Sequence, residues 1–363
     1  MTKREKEILD IISDNPFISQ DQLAKILGIS RSAVATHIFN LTNKGLIRGR
    51  GYILSQPQFV TIIGGINIDI IGLPNEKIIK NNSNAGQLEF SLGGAAFNIA
   101  LGLRKLDVQN FLISVYGDDS FSDMFLNHAK QNQLDISCCE QLEGERTSTF
   151  LYVENKTEKD YFGIDDMGIY QHMTPTFLKK YITKINQSDY CIIDTNIPAA
   201  TIDYLKEQVE VPIIAKTVSL SKNLSLIPLL SQLHYLVTTP VELVELISQV
   251  TQKACTLEEA IDYLLKHGTE NIILLDTENT LSYYSKYHSQ SLTIKHHVVS
   301  HTGGIASLTA ALVFCLINNF ELRQTLEYLY SALLLSHDSS FPLHPSFSLK
   351  ALRNKRKTYF TSK

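Results

Sequence analysis

Apolar positions in the first 45 residues recur at helical spacing and are punctuated by capping residues. Ile8, Ile11 and Ile12 mark one face of a first helix, and Ser19 stands where it can cap a second amphipathic stretch, 19–27, that Gly28 ends. Ser30 is placed to cap a third, running to Asn43 before Gly45 stops it. The run Leu46-Ile47-Arg48-Gly49-Arg50-Gly51-Tyr52-Ile53-Leu54 then sets apolar ends around a Gly/Arg centre, the pattern of a short β-hairpin. Three short helices, a tight Gly turn and a hairpin predict an α+β domain over residues 1–55.

After the short linker Ser55-Gln56-Pro57-Gln58 the pattern changes to brief apolar runs alternating with helical stretches. Phe59–Ile63, 110–115, Tyr190–Asp194, 211–214 and Asn271–Leu275 read as buried strands, 95–106 as a helix and 310–318 as a buried helix. Such alternation predicts an α/β domain with a mainly parallel sheet over 59–350, and ligands of such sheets sit at the carboxyl ends of the strands. Residues 351–363 read as a basic C-terminal tail.

Charge separates the two parts. The chain of 363 residues carries a formal charge of -4, yet residues 1–55 sum to +3 and the remainder to -7. A nucleic-acid surface is therefore expected only at the N-terminus. Within the third helix Arg31, Ser32, Thr36 and His37 occupy the stretch that a helix-turn-helix presents to the major groove, and Arg48 and Arg50 on the hairpin would flank a phosphate or the minor groove. The five cysteines are scattered and lack C-x-x-C spacing, which suits a reduced cytoplasm and gives no sign of a disulfide framework or a zinc site. No apolar run reaches the ~18 residues of a membrane span, so no membrane partner is expected.

The segment from Gly28 to Leu54 resembles a winged helix-turn-helix of biotin-operon-repressor type, which implies an operator DNA partner. In the large domain, Gly64-Gly65-Ile66-Asn67-Ile68-Asp69 follows the first strand, Ser91-Leu92-Gly93-Gly94-Ala95-Ala96-Phe97-Asn98 opens a helix, and Thr302-Gly303-Gly304 opens another. In this order and separation the three resemble the ribokinase-like (PfkB) carbohydrate kinases. The segments Asp165-Asp166-Met167-Gly168-Ile169-Tyr170, Asp194-Thr195-Asn196-Ile197-Pro198 and Val218-Ser219 through Lys222 look like the pseudouridine-kinase-like branch, which often carries an N-terminal helix-turn-helix. The resemblance implies a sugar or nucleoside pocket formed by Asn67, Asp69, Gly93, Gly94 and Asn98. It also implies a small β lid, for which 73–91 is the natural candidate, and a homodimer. A carboxylate there accepts hydrogen bonds from adjacent sugar hydroxyls, while asparagine donates and accepts at once.

The phosphoryl-transfer pattern of the same family is broken. Active members carry D-T-x-G-A-G-D, with backbone N–H groups holding the phosphate and the last Asp acting as base. Here Ser300-His301-Thr302-Gly303-Gly304-Ile305-Ala306 occupies that run, so Thr302, Gly303 and Gly304 remain of the anion hole and Ala306 replaces the base. A methyl group cannot accept a proton. His301 is the one nearby alternative base. The N-x-x-E element expected after Pro240 has Val241 and Val244 at its key positions, leaving Glu242 or Glu245 only in a shifted register. The nucleotide-side turn has become Leu274-Leu275-Asp276-Thr277-Glu278-Asn279, without its glycines. Lys295-His296-His297 and His344 read as ordinary surface or strand positions.

The expectation is a DNA-binding regulator whose sensor is a degenerate kinase domain that needs no cofactor and no metal and binds a nucleoside or sugar effector. The alternative is an active carbohydrate kinase of pseudouridine-kinase type that uses ATP and magnesium.

Overall fold

A computed structural model describes residues 1–47, 58–155, 160–276, 280–293, 304–337 and 342–361. The wing with Arg48 and Arg50, the residues His301, Thr302 and Gly303, the tract Lys295-His296-His297 and the turn residues Thr277, Glu278 and Asn279 lie outside them. The chain divides into two compact units, Met1–Gln58 and Phe59–Lys363.

The first unit contains the helices Lys3–Asp14, Gln20–Leu27 and Arg31–Asn43. Thr2 and Ser19 form capping boxes with Glu5 and Gln22, and Ser30 Oγ accepts from the Ala33 N–H at 3.1 Å, so each helix start has its free donors partly satisfied. Gly28 turns the chain between the second and third helices in the left-handed region, φ +63°, which costs glycine least. Ile8, Ile12, Leu23, Val34, Ile38, Leu41 and Ile47 close a core of their own. At its edge the buried Glu5 carboxylate pairs with Lys44 Nζ at 2.8 Å.

The second unit is built on a nine-stranded sheet. Its strands are β1 (Phe59–Ile63), β4 (Gln109–Tyr116), β5 (Cys138–Gln141), β8 (Tyr190–Asp194), β9 (Ile213–Lys216), β10 (Leu233–Thr238), β11 (Asn271–Leu275), β12 (Thr280–Ser285) and β13 (Ser289–Thr293), in the order β13-β12-β11-β10-β9-β8-β1-β4-β5. From β11 to β5 all neighbours are parallel, and β12 and β13 add an antiparallel edge. Alternate strand residues feed two apolar cores. Val60, Ile62, Ile192, Ile214 and Val237 face the helices Ala95–Lys105, Gly304–Ile317 and Leu322–His337, while Ile63, Ile193, Ala215 and Leu236 face the helices Ala199–Gln208, Pro240–Thr251 and Leu257–Lys266. Burial on both faces is why these strands read as continuous apolar runs. The helix Gly304–Ile317 is apolar nearly all round and lies against Ala95–Lys105, where a Cβ on Gly102 would come within 2.8 Å of the Ala310 Cβ.

Two expectations are corrected. The lid is a four-stranded sheet, β3-β2-β6-β7, of which 73–91 supplies less than half: β2 (Asn67–Pro74) and β3 (Gly86–Gly93) are joined by β6 (Thr149–Asn155) and β7 (Asp160–Asp166). The basic tail is a helix, Leu349–Arg356, with a further turn at Lys357–Thr361. Leu352 is buried and Arg356 Nε reaches the Glu327 carboxylate at 2.8 Å, so apolar and paired positions anchor a segment whose charges suggested a tail.

Candidate functional site

The turn after β1 lies at the carboxyl ends of the parallel strands, and one carboxylate organises it. Asp194, fully buried at the end of β8, accepts from the backbone N–H groups of Gly65, Ala96 and Asn196, each at 2.9 Å. Ala96 belongs to the first turn of the helix Ala95–Lys105, so the carboxylate also sits at that helix's positive end. Close approach makes glycine necessary on both sides. A Cβ at Gly64, whose φ is +152°, would fall on the Asp194 carboxylate, and one at Gly94, φ +100°, would fall on the Gly65 carbonyl. Tyr170 Oη and Ser148 Oγ both donate to the Ile66 carbonyl at 2.6 Å and hold the far side of the turn.

Asp69 follows on β2. Its carboxylate accepts from Asn67 Nδ2 at 2.6 Å, and a Cβ at Gly93, on the neighbouring β3, would collide with it. Burial pushes the Asp69 pKa up to about 6 against the opposing pull of the Asn67 hydrogen bond. Asn98, one turn into the helix that Gly94 opens, is buried. Of the five residues expected from the sequence, the structure places Asn67, Asp69 and Gly93 against one another, with Gly94 next in the chain and Asn98 one turn further along the helix.

Sequence reasoning missed other members of the site. Ser91 stands opposite Asp69 in the β2–β3 register, and its Oγ is buried without a partner; the Oδ1 of Asn196, whose amide lies beside Gly65, is likewise buried and unpaired. Asp194 and Asn196 were visible only as a family-like segment, because the contacts of Asp194 reach back to Gly65 and Ala96 about a hundred residues earlier.

The described residues that match the family's phosphoryl-transfer elements are differently furnished. Ala306 is 2% exposed and packed in the core, and Ile305 lies half-buried against the same cluster. Glu242 is committed to capping the helix Pro240–Thr251, accepting from Thr239 Oγ1 at 3.0 Å and from Thr217 Oγ1 at 2.8 Å. Glu245 accepts from Gln249 at 2.9 Å. Lys216, the register partner of Asp194 at the end of β9, is half-buried; burial holds its pKa below the ordinary lysine value, opposed by Glu242 and Asp194. Among the described residues no group of three or more His, Cys, Asp or Glu could hold a metal ion, and a capping Glu242 beside a resident ammonium does not fit a magnesium site.

In the first unit Arg31, Ser32 and Thr36 are exposed on the third helix, with Arg31 only loosely placed, 3.6 Å from Asp21, and His37 is half-buried with its Nδ1 unpartnered.

The profile of the pfkB family carbohydrate kinases matches residues 57–328. The chain belongs to that family. A winged helix-turn-helix DNA-binding profile matches residues 1–48, so the pfkB domain is preceded by a second recognised domain. Over 96% of its length the chain is 29% identical to the uncharacterized sugar kinase YeiI of Escherichia coli (strain K12), covering 97% of that protein. Over 82% of its length it is 24% identical to the pseudouridine kinase of the same organism, covering 96% of it. Among solved structures, the ribokinase of Arabidopsis thaliana complexed with ribose and ATP superposes with a TM-score of 0.70 at 15% identity, over 83% of this chain and 99% of that one. A carbohydrate kinase from Agrobacterium tumefaciens gives 0.69 at 20%, over 82% and 97%. These two establish the fold alone. Among the described residues no helix is long and apolar enough to cross a membrane.

Proposed function

We propose that this pfkB-family protein is a cytoplasmic, DNA-binding transcriptional regulator in which the kinase fold serves as a ligand sensor without phosphoryl transfer. The observation that carries this reading is Ala306, a buried methyl where active relatives have their base, in a chain that keeps the Asn67–Asp69 pocket. Loss of a general base costs on the order of 10²–10⁴-fold in rate, and Ile305 and the capping role of Glu242 remove phosphate and metal positioning as well. Asp69, Asn67 and Asn98 bind the hydroxyls of a nucleoside or sugar; Gly93 and Gly94 let the backbone close on it. Arg31, Ser32, Thr36 and His37, with Arg48 and Arg50, read an operator. Gly304 and, with it, Thr302 and Gly303 are the remnant of the anion hole.

The regulator acts as a homodimer. The lid face opposite Asp69 supports this: Leu88, Phe90, Phe162 and Ile164 are each half or more exposed there, in line with Ile70, Leu151 and Val153, and an apolar sheet face of this extent calls for a partner. Ligand closes the lid, biases the dimer between two states and so alters operator affinity.

The second reading, an active kinase using ATP and magnesium, is favoured by the family match and by the similarity to proteins named as a sugar kinase and as a pseudouridine kinase. The two readings part in one experiment. Duplexes selected from a random pool by the full chain are titrated with the protein in the presence and absence of ribose, uridine and pseudouridine. A ligand-dependent change in affinity of fivefold or more, without phosphorylated product when ATP and magnesium are supplied, is the outcome expected here. Product formation that His301→Ala abolishes establishes the kinase.

A further inference from the structure

The third helix of the first unit, Arg31–Asn43, turns one stripe away from the core. Val34, Ile38 and Leu41 are buried against the rest of the unit, while Ser32, Thr36 and Phe39 are exposed. Residues four and seven apart share a helix face, so these three form a single row. Phe39 is 63% exposed and belongs neither to the buried core of the unit nor to the apolar residues packed against it, so the fold gains little from its ring. The row is also short of hydrogen-bond donors. Thr36 Oγ1 donates its proton to the Ser32 carbonyl at 3.0 Å, and Ser32 Oγ shares a proton with Ser30 Oγ at 2.9 Å.

We infer that Phe39 is a specificity-determining residue of the DNA-binding unit and that it reads the 5-methyl group of a thymine in the major groove. The inference rests on the operator-binding reading above and extends it to a base. A helix whose first turn sits in the groove carries Phe39 in with Ser32 and Thr36, because they lie on one face. At ~1.5 Å per residue Phe39 lies about 10 Å beyond Ser32, or about three base pairs along the duplex. Each base edge in that groove asks for a different partner. Guanine presents two acceptors, and adenine and cytosine each present an amino donor; a phenyl ring answers none of these and would strip them of water unpaired. Thymine alone carries a methyl group, and an apolar side chain beside it takes both apolar surfaces out of water. Thr36, its proton already spent within the helix, adds no donor to the same row. The exposed Arg31 and the +3 of residues 1–55 suit the phosphates, which hold the helix in place without choosing a base.

The test uses the full chain and duplexes that it selects from a random pool, with each thymine of the selected site replaced singly by deoxyuracil, which lacks only the methyl group. Affinity is read by fluorescence anisotropy. A loss of about fourfold is expected at one or two neighbouring positions, the value of burying one methyl group. Phe39→Ala is expected to bind the thymine and uracil duplexes equally there, and Phe39→Leu to keep part of the difference; melting curves of both variants report that the unit is folded. A site at which no thymine methyl matters, or a methyl effect that Phe39→Ala leaves intact, overturns the assignment while operator binding stands. A Phe39→Ala chain that keeps the methyl effect and loses self-association in sedimentation marks the ring as a protein contact and overturns it equally. If the pool yields no duplex above background, the operator-binding reading falls and this inference with it.

Discussion

Asp69 is a carboxylate held out of water with one amide for company, and its chemistry follows from that. Its raised pKa, about 6, means that the unliganded fold prefers the proton. Stability from this group is therefore complete below the unfolded value near 4 and is lost as pH rises to about 6, a difference of about 3 kcal/mol by pH 7. Ligand hydroxyls donate to the ionised form and recover part of that cost. Effector affinity is thus expected to fall as pH drops below about 6, approaching tenfold per unit, in titrations across pH 4.5–7.5. Asp69→Asn is expected to flatten the profile, to raise the melting temperature at pH 7 and to weaken binding; unchanged affinity in that variant would contradict the pocket. Ala306 gives the converse case. Ala306→Asp places a carboxylate in the buried apolar cluster that Ala306 belongs to, so we expect a loss on the order of 2 kcal/mol in thermal melts and no phosphoryl transfer, because Ile305 and Glu242 remain as they are.

At the scale of elements, the N-terminal helices were legible because each carries its own start and stop: Ser19, Gly28 and Ser30 mark boundaries that the caps then realise. Removing the Ser30 hydroxyl is expected to cost about 1 kcal/mol in the melting of the first unit, since the N–H of Ala33 loses its acceptor. The strands β1, β8 and β11 were legible for a different reason: burial on both faces makes them unbroken apolar runs. The lid was undersized in the sequence reading. Its β6 and β7 mix exposed apolar and acidic residues, Phe162 and Ile164 beside Asp165 and Asp166, and β6 joins β2 in parallel from some eighty residues away, a pairing that no local pattern announces. The candidate pocket residues Asn67, Asp69, Gly93, Gly94 and Asn98 were named through the family resemblance. Asp194 was not, because what it holds are backbone N–H groups, which have no signature in the sequence. The exposed lid face makes its own prediction: on the proposed dimer, the wild type sediments as a dimer and Phe90→Ser with Phe162→Ser converts it to monomer, whereas a monomeric wild type contradicts the dimer and a dimer that survives both substitutions places the interface elsewhere.

At the scale of the molecule, a DNA-binding domain and a pfkB domain share one chain, and the question is what the second lends to the first. Phosphoryl transfer would require a base, an open anion hole and a metal; a buried methyl, a β-branched Ile305 and the valines Val241 and Val244 stand at the matching positions, and the neighbouring Glu242 is engaged in a helix cap. Ligand recognition requires only the Asp69 end of the cleft, which is built from buried, mutually placed polar groups. On the proposed reading, the separation of these two ends along the strand termini lets one be lost and the other kept. The most direct measurement is isothermal calorimetry of uridine injected into the full chain with saturating ATP and magnesium, followed by analysis of the cell contents. The account predicts a saturable binding isotherm that returns to baseline after each injection, with no nucleoside monophosphate formed. A sustained heat signal that scales with enzyme and ends in uridine phosphate would contradict it.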